Sequence, residues 1–236
     1  MEGVPMSTLL FGSLLIAFLI LIYPLLDIKY TKSLKEKKDS ESRLRYYKFA
    51  IVSEWLVVFV IMVFVLISPN INFKSIGLTS SDNFESFLGM IFGFLIGVAI
   101  FVFILMKIPV IKKRQELSLG SIDFLLPVTK LERTWSIFVA ITAGVCEEII
   151  YRGFVMHYLS SLPIELEQIA VIIISAVIFG VAHAYQGWKG IILTGLMGFV
   201  FANIYVKTGS LLFPILFHII IDMRSFLFVK PLSKET

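Results

Sequence analysis

The sequence predicts an all-α fold, a polytopic transmembrane bundle of seven to eight spanning helices. Three observations point there. Of the 236 residues, 58% are hydrophobic and 22 are phenylalanine, and mean hydropathy is +0.91; soluble domains do not have that balance. Apolar runs near the ~17–25 residues that a spanning helix needs recur along the chain. Lysines and arginines collect in alternate connections between those runs, the charge asymmetry of a polytopic membrane protein.

The first run, Leu9–Leu26, follows a single charge, Glu2. It has no basic n-region and exceeds the core of a cleavable signal, so it reads as a retained helix. Phe49–Ile67 and Phe87–Met106 are the second and third runs. The third carries Gly89, Gly93 and Gly97 on one face, a spacing that lets helix backbones approach closely. Leu117–Val128 is a candidate eighth, interfacial or partly inserted segment. The long run Trp135–Leu162 comes next, with a turn near Pro163. Ile169–Ala182, Ile191–Val206 and Leu211–Val229 complete seven. Residues 1–133 are therefore read as N-terminal helices with basic cytoplasmic loops, and residues 134–236 as a second helical part of the same integrated membrane domain.

Charge fixes the expected orientation. Lys29–Lys48 holds eight basic residues, Lys107–Arg133 six, the connection at Lys189 one and the tail after Val229 two, whereas the alternate connections hold only Lys74 and Lys207. This places the N-terminus outside and the C-terminus in the cytoplasm. The net charge of +4 is explained by topology and contact with anionic lipid rather than by nucleic acid. The Phe, Ile and Lys content fits a bacterial cell membrane. The single cysteine, Cys146, excludes an intramolecular disulfide and a multi-cysteine metal site, and reads as a small packing residue.

Against this apolar background, "CEEIIYRG" (146–153) stands out. Each charge at the centre of a bilayer helix costs roughly 2.5–3.5 kcal/mol on insertion scales. Yet the later runs carry Glu147, Glu148, Arg152, His157, His183, His218 and Asp222, while Glu54 is alone in the first three. Their concentration in one half predicts a shared, water-filled pocket. Residues four apart lie about 40° apart on a helix, and residues five apart about 140°. Glu148 and Arg152 can therefore pair, which leaves Glu147 without a partner on its own helix, free for general-base work. His218 and Asp222 are also four apart, so the carboxylate can fix the imidazole's tautomer or share a water or metal with it. His183 closes "FGVAH", with Phe179 one turn earlier. His157 has no carboxylate three or four residues away and reads as a packing hydrogen bonder. Helical rise puts Glu147 about 24 Å and His183 about 30 Å from the turn at Pro163, at similar depth, but His218 only about 14 Å from the turn at Gly209. Tilt, a broken helix around Gly187–Gly198 or a deep loop must close that gap.

In order along the chain, "EEIIYR" fits EExxxR, "FGVAH" fits FxxxH and "HIIID" fits HxxxD/N. The stretch Trp135–Val229 resembles the CPBP, or Abi, family of intramembrane proteases, which includes the type II CAAX prenyl endopeptidases and bacteriocin-immunity proteins. The resemblance implies an endopeptidase in which Glu147 activates the attacking water and Glu148 and Arg152 are the supporting pair. It implies that His183 binds the water or a metal, and that His218 and Asp222 complete the site and stabilise the oxyanion. Asp222 stands where many relatives carry asparagine, which favours metal binding or a protonated histidine. A zinc-like divalent metal on His183 and His218 is one implied form of the site, and a metal-free water is the other. The implied substrate is a hydrophobic, lipid-anchored or membrane-bound peptide met at the lipid bilayer; with a bacterial source, a small pheromone or bacteriocin precursor fits better than a prenylated protein. The alternative is a non-catalytic membrane partner that confers bacteriocin self-immunity or regulates a signalling protein. A proton-coupled transporter is disfavoured by the lack of an inverted repeat.

Overall fold

The computed structural model describes residues 4–78 and 122–228. Among them the chain is helical, with no strand. Helix α1 (Met6–Ala17) runs through a π-helical turn, Phe18–Ile22, into α2 (Tyr23–Lys37). Pro24 explains the turn: it offers no N–H, and its ring crowds the preceding turn of an α-helix, so a wider i→i+5 turn just before it relieves both. The helix α3 (Ser40–Ile67) returns after two residues, Lys38 in the left-handed region and Asp39 as N-cap, whose carboxylate accepts from the Ser42 amide. The basic Lys29–Lys48 segment, expected as a cytoplasmic loop, is therefore a tight helical hairpin. Charge does not break a helix whose i, i+4 pairs and last-turn lysines suit it; Arg45 pairs with Glu41, and Lys35 and Lys37 occupy the final turn of α2.

The third expected run, Phe87–Met106, with its glycine stripe, lies outside the described residues. So does most of Leu117–Val128, whose described end is a short 3-10 turn, Asp123–Leu125, followed by buried Leu126. This turn is held against the hairpin. Arg43, buried on α3, donates to the Phe124 carbonyl and pairs with the buried Glu132 at 3.2 Å. Tyr47 donates to the Leu125 carbonyl. Glu132 also closes a capping box with Thr129, which starts α4 (Lys130–Glu147).

From α4 the helix continues without interruption through a π-helical segment, Glu148–Val155, into α5 (Met156–Ser161). After the expected turn at Pro163 come α6 (Gln168–Ala182), a 3-10 turn at Ala184–Gln186, α7 (Gly187–Thr208) and α8 (Leu212–Phe228). The break between α6 and α7 falls before Gly187, where φ is +78°, and α7 itself is continuous.

Among the described residues three helical stretches are long and apolar enough to cross a membrane: Met6–Lys37, Ser40–Ile67 and Ala184–Thr208. They leave large apolar side chains on the outside, including Leu14, Phe59, Leu66 and Leu196, as lipid-facing helices do. The chain is an integral membrane protein on these helices. The inner faces close around a core in which Phe11 stacks on Phe64 and both meet the edge of Phe154.

Candidate active site

The EEIIYR motif sits where the α4 helix widens. Glu147 is the last residue of α4 and Glu148 the first of the π-helical segment. A π-turn leaves backbone carbonyls looser than an α-turn, and such segments recur at functional sites. Here Ser175 on α6 donates its hydroxyl to the Tyr151 carbonyl.

Glu148 and Arg152 pair as their spacing predicts, at 2.9 Å, both fully buried. The guanidinium has three further neighbours. It donates to the Gly198 carbonyl on α7 at 3.1 Å and lies over the rings of Phe179 and Phe201, 4.3 and 5.3 Å from their centroids. A Cβ on Gly198 would stand 3.2 Å from the guanidinium and 2.9 Å from the Phe179 ring, so only glycine lets α7 come this near. Desolvated cation–π contacts and a close carboxylate are the partners a buried arginine needs.

His218 on α8 completes this unit. Its Nδ1 is 2.8 Å from the same Glu148 Oε1 that binds Arg152. A carboxylate paired with arginine accepts, so Nδ1 carries the proton and Nε2 is turned the other way. Nε2 faces Glu147, 3.5 Å from its Oε2, and Asp222 at 3.7 Å. His183, just past the end of α6, mirrors this. Its Nδ1 lies 2.9 Å from the Phe179 carbonyl, which can only accept, so Nε2 again bears the lone pair in the neutral ring. That Nε2 is 3.7 Å from Glu147 Oε1. The carboxylate of Glu147 thus stands between two imidazoles, and its buried Oε2 has no hydrogen-bond partner.

The expected site residues Glu147, Glu148, Arg152, His183, His218 and Asp222 therefore converge, and His157 does not. Close helix packing answers the expected depth mismatch. Helix α8 lies against α4 at Gly144, where a Cβ would be 3.0 Å from the Ile219 backbone nitrogen and 3.3 Å from the Ile215 carbonyl oxygen. This approach delivers His218 to Glu147 and Glu148. Phe179, one turn before His183, walls the site and meets the rings of both histidines. Cys146 is buried in the apolar core.

Beside Glu147 and His183 lies a cavity of about 40 Å³, whose wall also includes Tyr23, Asp27, Tyr46 and Glu54. The sequence allows Glu54 to cap or line such a cavity but gives it no chemical role, and it gives no place to Asp27. The signal for Asp27 was present: it continues the helix begun by an apolar run, one turn after Tyr23 and one before Thr31.

The donor types suit zinc, two imidazole nitrogens with a carboxylate, each imidazole oriented by an outer hydrogen bond. Their spacing does not: among the described residues no group of three or more His, Cys, Asp or Glu is placed to hold a metal ion.

Residues 129–224 match the family described as type II CAAX prenyl endopeptidase Rce1-like. This part of the chain is similar to that family. The match begins at Thr129, the N-cap of α4, and takes in every residue of the Glu147–His183–His218 cluster, Asp222 included. The family of CAAX-type endopeptidases is one of membrane-embedded proteases, in agreement with the apolar helices. Comparison with curated proteins and with solved structures gave no match.

Proposed function

We propose that the protein is an intramembrane endopeptidase that cuts a hydrophobic, lipid-anchored or membrane-bound peptide with a water activated by Glu147. The observation that carries this reading is the placement of the Glu147 carboxylate between the Nε2 atoms of His183 and His218, at 3.7 and 3.5 Å. These gaps exceed good hydrogen bonds and suit groups that share a water. His183 Nε2 and Glu147 both accept, so one water can donate a proton to each.

Glu147 takes a proton as the water oxygen bonds to the scissile carbonyl carbon. The carbonyl oxygen becomes an oxyanion. With Nδ1–H given to Glu148, His218 can donate from Nε2 only as imidazolium, and in that form it stabilises the oxyanion. Asp222, close to the same nitrogen, favours the charged ring. Collapse breaks the C–N bond, and Glu147 returns its proton to the leaving amine. Glu148 and Arg152 hold His218 and the widened helix in place without touching substrate. Zinc on His183 and His218 would need these side chains to draw closer than their present spacing, and would then supply a more acidic water; the steps above do not use it.

The bundle is proposed to have seven to eight spans in a bacterial cell membrane, its N-terminus outside and its C-terminus in the cytoplasm, with residues 134–236 as the catalytic part. Comparative peptidomics of membranes carrying the wild type or Glu147→Ala should show peptides that depend on Glu147. An unchanged peptidome, with an immunity or signalling phenotype that survives Glu147→Ala and His183→Ala, would instead make the protein a non-catalytic membrane partner. Cleavage by dialysed protein that persists in chelator selects the metal-free water; loss restored by zinc selects the metal.

A further inference from the structure

The catalytic cluster uses one wall of its cavity. The other wall comes from α2 and α3, before the family match begins, and it is acidic. Asp27 on α2 and Glu54 on α3 are 4% and 7% exposed, in positions where carboxylates need a partner. Glu54 Oε2 is buried without a hydrogen-bond partner, as is Oε2 of Glu147 on the facing wall. Asp27 shares this wall with Tyr46. The described residues lining this space include three carboxylates and no lysine or arginine. Lys35, two turns beyond Asp27 on α2, is engaged elsewhere, donating to the Tyr185 carbonyl at 2.6 Å and lying over the Phe124 ring.

Resting on the endopeptidase reading, we propose that this cavity receives a basic side chain of the peptide substrate, lysine or arginine, beside the bond to be cut. Charge decides the class, since an unpartnered carboxylate in a closed apolar bundle is stabilised by a cation that brings its own donors. Spread decides against a bare ion: these acids do not form a metal-binding group, whereas an ammonium offers three donors and a guanidinium five. The walls fit as well. Tyr23, Tyr46, Tyr151 and Tyr185 supply aromatic surface, which suits organic cations and the alkyl stem behind them. Position ties the cavity to cleavage, because Glu147 and His183 line it too. Asp27 and Glu54 are then specificity-determining residues, and a family shared by many substrates would carry them on the helices that the family match leaves out.

The test uses full-length protein in proteoliposomes and internally quenched hydrophobic peptides, identical except for one residue flanking the cleaved bond: lysine, arginine, norleucine or glutamate. The wild type should cleave the lysine or arginine peptide with kcat/KM about tenfold or more above norleucine, the discrimination expected of a charge-assisted contact. That ratio should fall to near one in Asp27→Asn/Glu54→Gln, with the change in KM. The same peptides, fluorescently labelled, are titrated onto inactive His218→Ala, whose substitution lies outside the cavity wall. There, too, the basic peptides should bind more tightly, and the double substitution should erase the difference. Equal handling of lysine and norleucine by the wild type, or a preference that persists in the double variant, overturns the proposal. Selective binding without any cleavage by the wild type would retain the cation site and remove the protease reading. Cleavage without selectivity would do the reverse.

Discussion

Gly144→Ala is a sharp test of how the site is assembled, because the substitution touches no site residue. An alanine Cβ there would stand 3.0 Å from the Ile219 nitrogen and 2.4 Å from its Cγ1, where ordinary contacts begin at 3.4 Å. The Ile219 side chain can rotate, but the backbone cannot. Helix α8 must retreat by roughly 0.4 Å at that point, the difference between 3.4 and 3.0 Å. His218 is the next residue. Its Nδ1, now 2.8 Å from Glu148, would move to roughly 3.2 Å, the outer edge of a good hydrogen bond, and its Nε2 would move away from Glu147. Overpacking of this kind costs about 1–3 kcal/mol. Misplacement approaching 1 Å can cost about 100-fold in rate, so a loss of about 10-fold in kcat is expected from this smaller shift. The assay is peptide cleavage in proteoliposomes, read beside the thermal midpoint of the purified protein. A variant that cleaves at the wild-type rate with an unchanged midpoint would refute the idea that this helix contact sets the position of His218.

Other perturbations separate chemistry from support. Glu147→Gln should lower kcat by about 100-fold or more, as loss of a general base does, without lowering the thermal midpoint, because its Oε2 has no hydrogen-bond partner to lose. Arg152→Met leaves Glu148 buried without its cation and should destabilise by about 3–5 kcal/mol, and Glu148→Leu in the same chain should recover much of this, measured by denaturation in detergent. The Ser42 amide, and then its hydroxyl, hold the Asp39 carboxyl below its ordinary range. A depressed acid contributes stability above its unfolded pKa and loses it as pH falls through the folded one, so protection of the Ser42 amide from exchange should decline below about pH 4. Asp39→Asn should remove that dependence while keeping the cap.

The chemistry of the site was more legible than its construction. Glu148 and Arg152 were readable as a pair because four-residue spacing survives the widened helix, and Glu147 as the free carboxylate for the same reason. The histidines announced themselves as ionisable groups in apolar runs. The meeting of His218 with Glu147 was not readable, because counting residues from a turn assumes helices that rise side by side, while the approach at Gly144 is a contact between distant parts of the chain. The π-helical segment left no trace in the hydrophobic pattern. Asp27 was lost to a boundary: the apolar run stops at Leu26 and the basic segment begins at Lys29, but the helix runs on to Lys37, and a residue between the two was inside the wall of the cavity.

The shared use of Glu148 by Arg152 and His218 has a bearing on biogenesis. The arginine arrives on the same helix, its carbonyl acceptor with α7, and the histidine with α8, the last described helix to leave the ribosome. Until that helix is inserted, neither the imidazole that faces Glu147 nor the second hydrogen on Glu148 is present. On the proposed endopeptidase reading, hydrolytic competence therefore arrives with α8, and a nascent chain stalled before it would be inert towards its neighbours in the membrane.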